Sequence, residues 1–182
     1  MEILLRMSGI SRADLEGIAC MEGPGSFTGL RIGFACAKGL SFGLKIPIIP
    51  VPTLDCMAYS FSFWPGMVLP LIDAKKNAFF CALYRQEKRI SDYLDISIDE
   101  IISLLKNNSS SFPLLLTGPA ASLVYPLVNG LFPGTVLTTD CKQGYAIELL
   151  KLAEKAHILT AGVNCGPMYL RKSDAELSGK QN

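Results

Sequence analysis

From Gly23 the chain reads Gly23-Pro24-Gly25-Ser26-Phe27-Thr28-Gly29-Leu30-Arg31-Ile32-Gly33. Glycines at this density permit a tight turn that side-chain-bearing residues resist. Ser26 or Thr28 can cap a helix starting there by accepting a backbone N–H bond. A helix start presents unpaired N–H groups and the positive end of the macrodipole, so the chemistry on offer is anion binding. The known fingerprints do not fit. The dinucleotide motif needs glycines at three fixed places before an acidic residue. The P-loop closes on Lys-Ser or Lys-Thr, which is absent. A nucleophile elbow needs Gly two residues either side of the Ser, where this chain has Pro24 and Thr28. The same residues would equally serve as a plain turn that lets a strand and a helix pack closely. Both readings stand.

Other reactive groups are few. The 182 residues hold one histidine, His157, and six cysteines, Cys20, Cys36, Cys56, Cys81, Cys141 and Cys165. No two cysteines stand at C-x-x-C spacing, and zinc needs grouped ligands, so neither a metal nor another cofactor is expected. A serine triad would have to use His157, late in a helical pattern with no indicated partner. Cysteines scattered through apolar runs read as reduced thiols, which points to a cytoplasmic protein. Glu2 and Arg6 interrupt the first apolar run, so it is no signal peptide. Lys38, Lys45 and Pro47 break the longest one, so no membrane span is expected. Seventeen basic and 16 acidic residues give a net charge of +1. That balance argues against a wide basic surface for nucleic acid.

Hydrophobic residues make up 49% of the chain, enough for a core. The pattern predicts a strand over Gly17–Met21, a helix over Thr28–Phe42 and a short strand over Pro47–Val51. A second helix follows over Thr53–Phe63, capped by Thr53. Trp64-Pro65-Gly66 marks a boundary. Beyond it, strands are predicted over Met67–Asp73 and Asn77–Arg85, joined by Ala74-Lys75-Lys76, and a third over Tyr93–Ile96. Ser97 and Glu100 form a capping box that opens a helix to Lys106. Leu114–Thr117 and Thr135–Leu137 read as strands and Ala120–Val128 as a helix. Asp140 and Gln143 form a second capping pattern, for a helix to Ala156. The class is α/β with a mixed sheet, divided at residues 1–63 and 64–182. The helix over Thr28–Phe42 is apolar nearly all round, so it should be covered on more than one side. One stripe carries Gly29, Gly33, Cys36, Leu40 and Gly43, small enough for another helix to approach closely. That helix is either a first helix of the same unit or one from a partner.

The run from Gly23 to Gly33 resembles the TsaB (YeaZ) family, the dimerisation subunit of the bacterial tRNA threonylcarbamoyladenosine synthase. Ala37-Lys38-Gly39-Leu40, Ile46-Pro47 and Val51-Pro52-Thr53-Leu54 extend the likeness. Leu71-Ile72-Asp73-Ala74-Lys75 and Pro167-Met168-Tyr169-Leu170-Arg171 follow in the family's order. The resemblance implies an actin/Hsp70/sugar-kinase-like (ASKHA) fold of two similar halves, the last residues returning toward the first. It also implies a β-hairpin and most of a helix ahead of Met1, roughly 50 residues at average element lengths, lost through a late-assigned start or a truncated gene. The implied role is a non-catalytic scaffold for tRNA threonylcarbamoylation beside the anticodon. Its partners would be the catalytic TsaD-like subunit and a TsaE-like ATPase subunit, with a homodimer when alone and tRNA reached only through the complex. The implied partner face is Gly29, Arg31, Gly33, Cys36, Ala37 and Leu40. Asp73 and Gly118 would mark a degenerate nucleotide site, since enzymes of this superfold grip a nucleotide between two halves. The alternative is therefore a nucleotide-dependent transferase or glycopeptidase-like enzyme of the same superfold.

Overall fold

The computed structural model describes residues 2–108, 113–132, 136–139, 144–157 and 165–171. Its strands fall into two sheets. The first pairs β1 (Ile18–Gly23) with β2 (Ile48–Pro52) in parallel, and α2 (Phe27–Leu44) makes the crossover between them. A parallel pair requires such a connection, and the long apolar segment supplies it. Ahead of β1 lies the short helix α1 (Glu2–Ser8), which buries no side chain.

The second sheet is mixed. Its central strand is β3 (Met67–Asp73). β4 (Ala78–Cys81) and β5 (Tyr84–Arg85) continue one antiparallel register along one edge of β3. β6 (Lys88–Arg89) pairs with β5, and β7 (Leu94–Ser97) pairs with β4. On the other edge, β8 (Leu114–Thr117) and β9 (Val136–Thr139) run parallel to β3. α4 (Ile98–Asn108) and α5 (Ala121–Val128) connect these strands.

Period-two alternation places the core. Met67, Leu69 and Leu71 point to one face with Leu114 and Leu116, where they meet Ile101 and Leu105 of α4 and Val124 and Val128 of α5. Val68 and Leu115 point to the other face, against Leu54, Met57 and Ala58 of α3 (Thr53–Tyr59). α3 turns Cys56 the opposite way, into a cluster with Ile49, Val51 and Ala153 of α6 (Ala146–His157). α3 and α6 are thus the filling between the two sheets, while α2 covers the far face of β1 and β2.

Most predicted elements form where their patterns place them, but three expectations change. The second helix ends at Tyr59, and Phe61 and Trp64 follow in turns closed by N–H bonds to Ala58 and Phe61. Thr53 is not its cap: Pro52 holds that position, and Thr53 is the buried first helical residue. The strand predicted over Asn77–Arg85 is broken into β4 and β5. Against the described residues, α2 buries Phe34 and Ala37 alone. Asp140 and Gln143 lie outside the described residues. The Ser97–Glu100 box is complete. The Glu100 carboxylate accepts from Ser97 N–H at 2.8 Å and Ser97 Oγ accepts from Glu100 N–H at 3.4 Å.

Candidate functional site

The glycine-rich loop leaves β1 and enters α2, and its glycines have unequal duties. Gly23 has φ +119°, a backbone that L side chains rarely adopt. A Cβ there would stand 2.5 Å from the Met168 carbonyl oxygen. Gly25 and Gly33 face open space, and a Cβ at Gly29 would only touch Ser26. Pro24 is buried beside Gly23. Ser26, not Thr28, is the cap: its Oγ accepts from Gly29 N–H at 3.3 Å and its carbonyl accepts from Leu30 N–H at 2.8 Å. Thr28 is exposed on the first turn. The loop thus has one position that needs glycine and one that needs a capping hydroxyl.

What Gly23 makes room for is the segment 165–171, which straps the two sheets together. Met168 N–H donates to the Glu22 carbonyl at 2.6 Å. Tyr169 packs its ring on Phe27 at 5.1 Å, and the Arg31 guanidinium covers that Phe27 ring at 3.9 Å. Arg171 then reaches the second sheet. Its Nε and Nη2 donate to the two oxygens of Asp95 at 2.6 Å each, and its Nη1 donates to the Ala74 carbonyl at 2.9 Å. The pair is largely shielded and bidentate, the geometry in which an arginine–carboxylate contact is strongest.

α2 presents an exposed apolar face. Its sheet-facing side is Phe34 and Ala37, with Leu30 and Ser41 half-buried beside them. A quarter-turn away, Gly29, Gly33, Cys36, Leu40 and Gly43 are exposed. Of the residues expected on the partner face, Ala37 is therefore turned inward at 5% exposure and drops out. Arg31 stacks on Phe27 away from the stripe. Ile32 and Phe42, unremarked in the sequence, are 60% and 90% exposed. Their apolar type was legible, but only the packing shows that nothing described covers them. α1 adds Ile3, Leu4 and Met7, each at least 70% exposed.

Asp73 and Gly118 come to the same end of the second sheet but have structural partners. Asp73 accepts from Lys75 N–H and Lys75 Nζ, each at 2.7 Å, and these bonds hold its carboxyl below the ordinary range. Gly118 has φ +92°, and a Cβ there would stand 2.7 Å from the Leu71 carbonyl oxygen, so it is a close-approach glycine. Between the sheets, Asp55 accepts from the phenols of Tyr84 and Tyr93. Burial, then the Asp55 charge, raises the Glu22 carboxyl nearby. Burial also pushes the thiols of Cys56 and Cys81 up to about 12, which keeps them protonated and unreactive. Among the described residues no three His, Cys, Asp or Glu side chains converge as metal ligands, and no helix is long and apolar enough to cross a membrane.

The architecture and its glycine loop have relatives. Residues 1–171 match the family described as TsaD, tRNA N6-adenosine threonylcarbamoyltransferase. The tRNA threonylcarbamoyladenosine biosynthesis protein TsaB of Haemophilus influenzae is 37% identical, over 92% of this chain and 75% of its own. The protein of that name from Bacillus subtilis is 28% identical, over 95% of this chain and 77% of its own. Among solved structures, an uncharacterized Pseudomonas aeruginosa protein with similarity to peptidase YEAZ superposes with a TM-score of 0.74 at 23% identity, over 93% of this chain and 80% of that one. Two sheets with helices between and outside them, carried by a chain of this similarity, make the fold ASKHA-like, and the chain belongs to the TsaB (YeaZ) family within the wider TsaD-type group.

Proposed function

We propose that this protein is a non-catalytic scaffold in tRNA threonylcarbamoyladenosine biosynthesis and that α2 is its docking helix. The relatives carry the name of that pathway. The observation that supports the scaffold role most is the face of α2. Eighteen residues, most of them apolar, bury only two side chains in their own fold and leave a stripe of small residues open. Small residues let a second helix pack at short distance, and Leu40 within the stripe and Ile32 beside it supply apolar area. The partner that suits this face is the TsaD-like catalytic subunit. A TsaE-like ATPase subunit joins the pair, tRNA is met through the assembly, and the same face supports a homodimer when the protein is alone. Engagement of Asp73 by Lys75 favours the scaffold over a nucleotide-dependent transferase.

A binding assay between this chain and the catalytic subunit tests the proposal. Gly33 has open space around it, so Gly33→Leu should leave the fold intact. In the interface it should cost ~2 kcal/mol or more, about thirtyfold in Kd. Lys38→Ala should change binding by less than ~1 kcal/mol, as exposed charges do. Unchanged binding by folded Gly33→Leu would move the docking face elsewhere.

A further inference from the structure

The five described cysteines divide by their place in the fold. Cys56 and Cys81 are buried, and Cys36 is exposed on α2. Cys20 on β1 and Cys165 at the start of the strap are both half-buried, and the fold brings these two together.

The strap lies along β1 and runs the same way. Met168 N–H bonds to the Glu22 carbonyl, and the next residue, Tyr169, reaches forward to Phe27. Backward along the two segments stand Cys165, three residues before Met168, and Cys20, two residues before Glu22. Residues 165–169 contain no helix, turn or bend, and Ile18–Gly23 is a strand. At about 3.3 Å per extended residue and about 4.8 Å between neighbouring segments, this brings the two Cα atoms to about 6 Å, the span a disulfide takes. The thiols also act on each other. Burial first, and then the Cys165 charge, push the Cys20 thiol above its ordinary value. Cys20 Sγ donates to the Met21 carbonyl at 3.7 Å. Cys20 is thereby held protonated at rest, and Cys165 is the freer of the two to react.

We propose that Cys20 and Cys165 are a redox pair that closes into a disulfide and latches the strap to β1. The oxidant is a small-molecule disulfide of the oxidised glutathione type. The Cys165 thiolate attacks one glutathione sulfur and expels the other as a thiolate, which takes up the proton that Cys165 lost. The Cys165 sulfur then carries no charge, so one of the two causes that raise Cys20 is gone. The Cys20 thiolate attacks the Cys165 sulfur, the S–S bond between them forms, and the second glutathione leaves as its thiol with the Cys20 proton. The protein loses two electrons and two protons, and the oxidised glutathione gains them. The strap is also one wall of a cavity of about 660 Å³, with the glycine-rich loop, the β3–β4 turn and Pro119 as the others, so the latch fixes that wall. The inference does not depend on the scaffold role, since neither cysteine lies on the α2 stripe.

Peptide mapping of the full chain tests it. The reduced protein is equilibrated with excess oxidised glutathione, its remaining thiols are blocked in acid, and it is cut with trypsin. Trypsin places each of the six cysteines on a separate peptide. The expected product is a cross-link of peptides 13–31 and 156–171, formed within one chain and reversed by dithiothreitol. Met168 N–H should exchange at least about tenfold more slowly in the oxidised chain than in the reduced one. Cys165→Ser should remove that difference. The proposal is overturned if the cross-link does not form, if Cys20 or Cys165 joins another cysteine instead, or if the link joins two chains. It is also overturned if oxidation leaves Met168 exchange unchanged, or slows it equally in Cys165→Ser.

Discussion

At the scale of single residues, Gly23 separates need from habit among the loop glycines. Its φ of +119° and the Met168 carbonyl 2.5 Å from a would-be Cβ combine strain with a backbone clash. Gly23→Ala should therefore destabilise by about 1–3 kcal/mol, while Gly25→Ala should stay within ~0.5 kcal/mol of the parent. Urea melts of the two variants make the comparison. Glu22 offers a pH signature. Its carboxyl is raised by burial and by Asp55. A raised carboxyl stabilises the fold while protonated. That contribution is complete below the ordinary value of 4.5 and is lost as pH rises through the raised one. Glu22→Gln, which has no charge to bury, should match the parent at low pH and become the more stable protein as pH climbs through that window. Thermal melts across pH measure it, and an unchanged difference between the two proteins would contradict the shift.

At the scale of elements, the strap is the one whose contacts no local pattern shows. The sequence shows Pro167-Met168-Tyr169-Leu170-Arg171 as a run without helical or strand period. In the fold this run joins β1, α2, the β3–β4 turn and β7: Met168 meets β1, Tyr169 meets α2, and Arg171 meets both the turn and β7. Its anchor is Arg171 with Asp95. Removing one partner of a buried ion pair costs about 3–5 kcal/mol, and partial exposure reduces that here to ~2 kcal/mol. Asp95→Ala should cost that much in a chemical melt. Arg171→Lys should not restore full stability, since an ammonium lacks the fork that meets both Asp95 oxygens.

At the scale of the whole molecule, the two sheets are unequally secured. β3 is flanked by strands on both edges and covered on both faces. Among the described residues β1 has β2 as its one strand partner, and the strap meets it at the Glu22 carbonyl, so the rest of its other edge has no strand against it. Two parallel strands form a weak unit, and an open apolar edge invites pairing with other chains. Hydrogen exchange should therefore be faster at Ile18–Gly23 and Ile48–Pro52 than at β3 and β8, and concentrated solutions should associate. Equal protection of both sheets, with a clean monomer on a sizing column, would show the first sheet to be self-sufficient.

What the sequence by itself determined was whatever neighbours in the chain decide. Ser97 and Glu100 stand three apart and close their box. The apolar run of α2 lies between a glycine loop and a β-rich segment, so a strand–helix–strand crossover follows. The family was legible for the same reason, in residues 23–33. Tertiary structure decided the rest. Periodicity shows that a helix has an apolar face but not whether the fold covers it. The sequence therefore placed Ala37 with Gly33 on one face, while packing buries Ala37 and leaves Ile32 and Phe42 bare. The Asp95–Arg171 pair spans 76 positions and the cavity draws on four distant stretches. No local pattern encodes contacts of that range, because they exist only once two sheets and the strap have closed on one another.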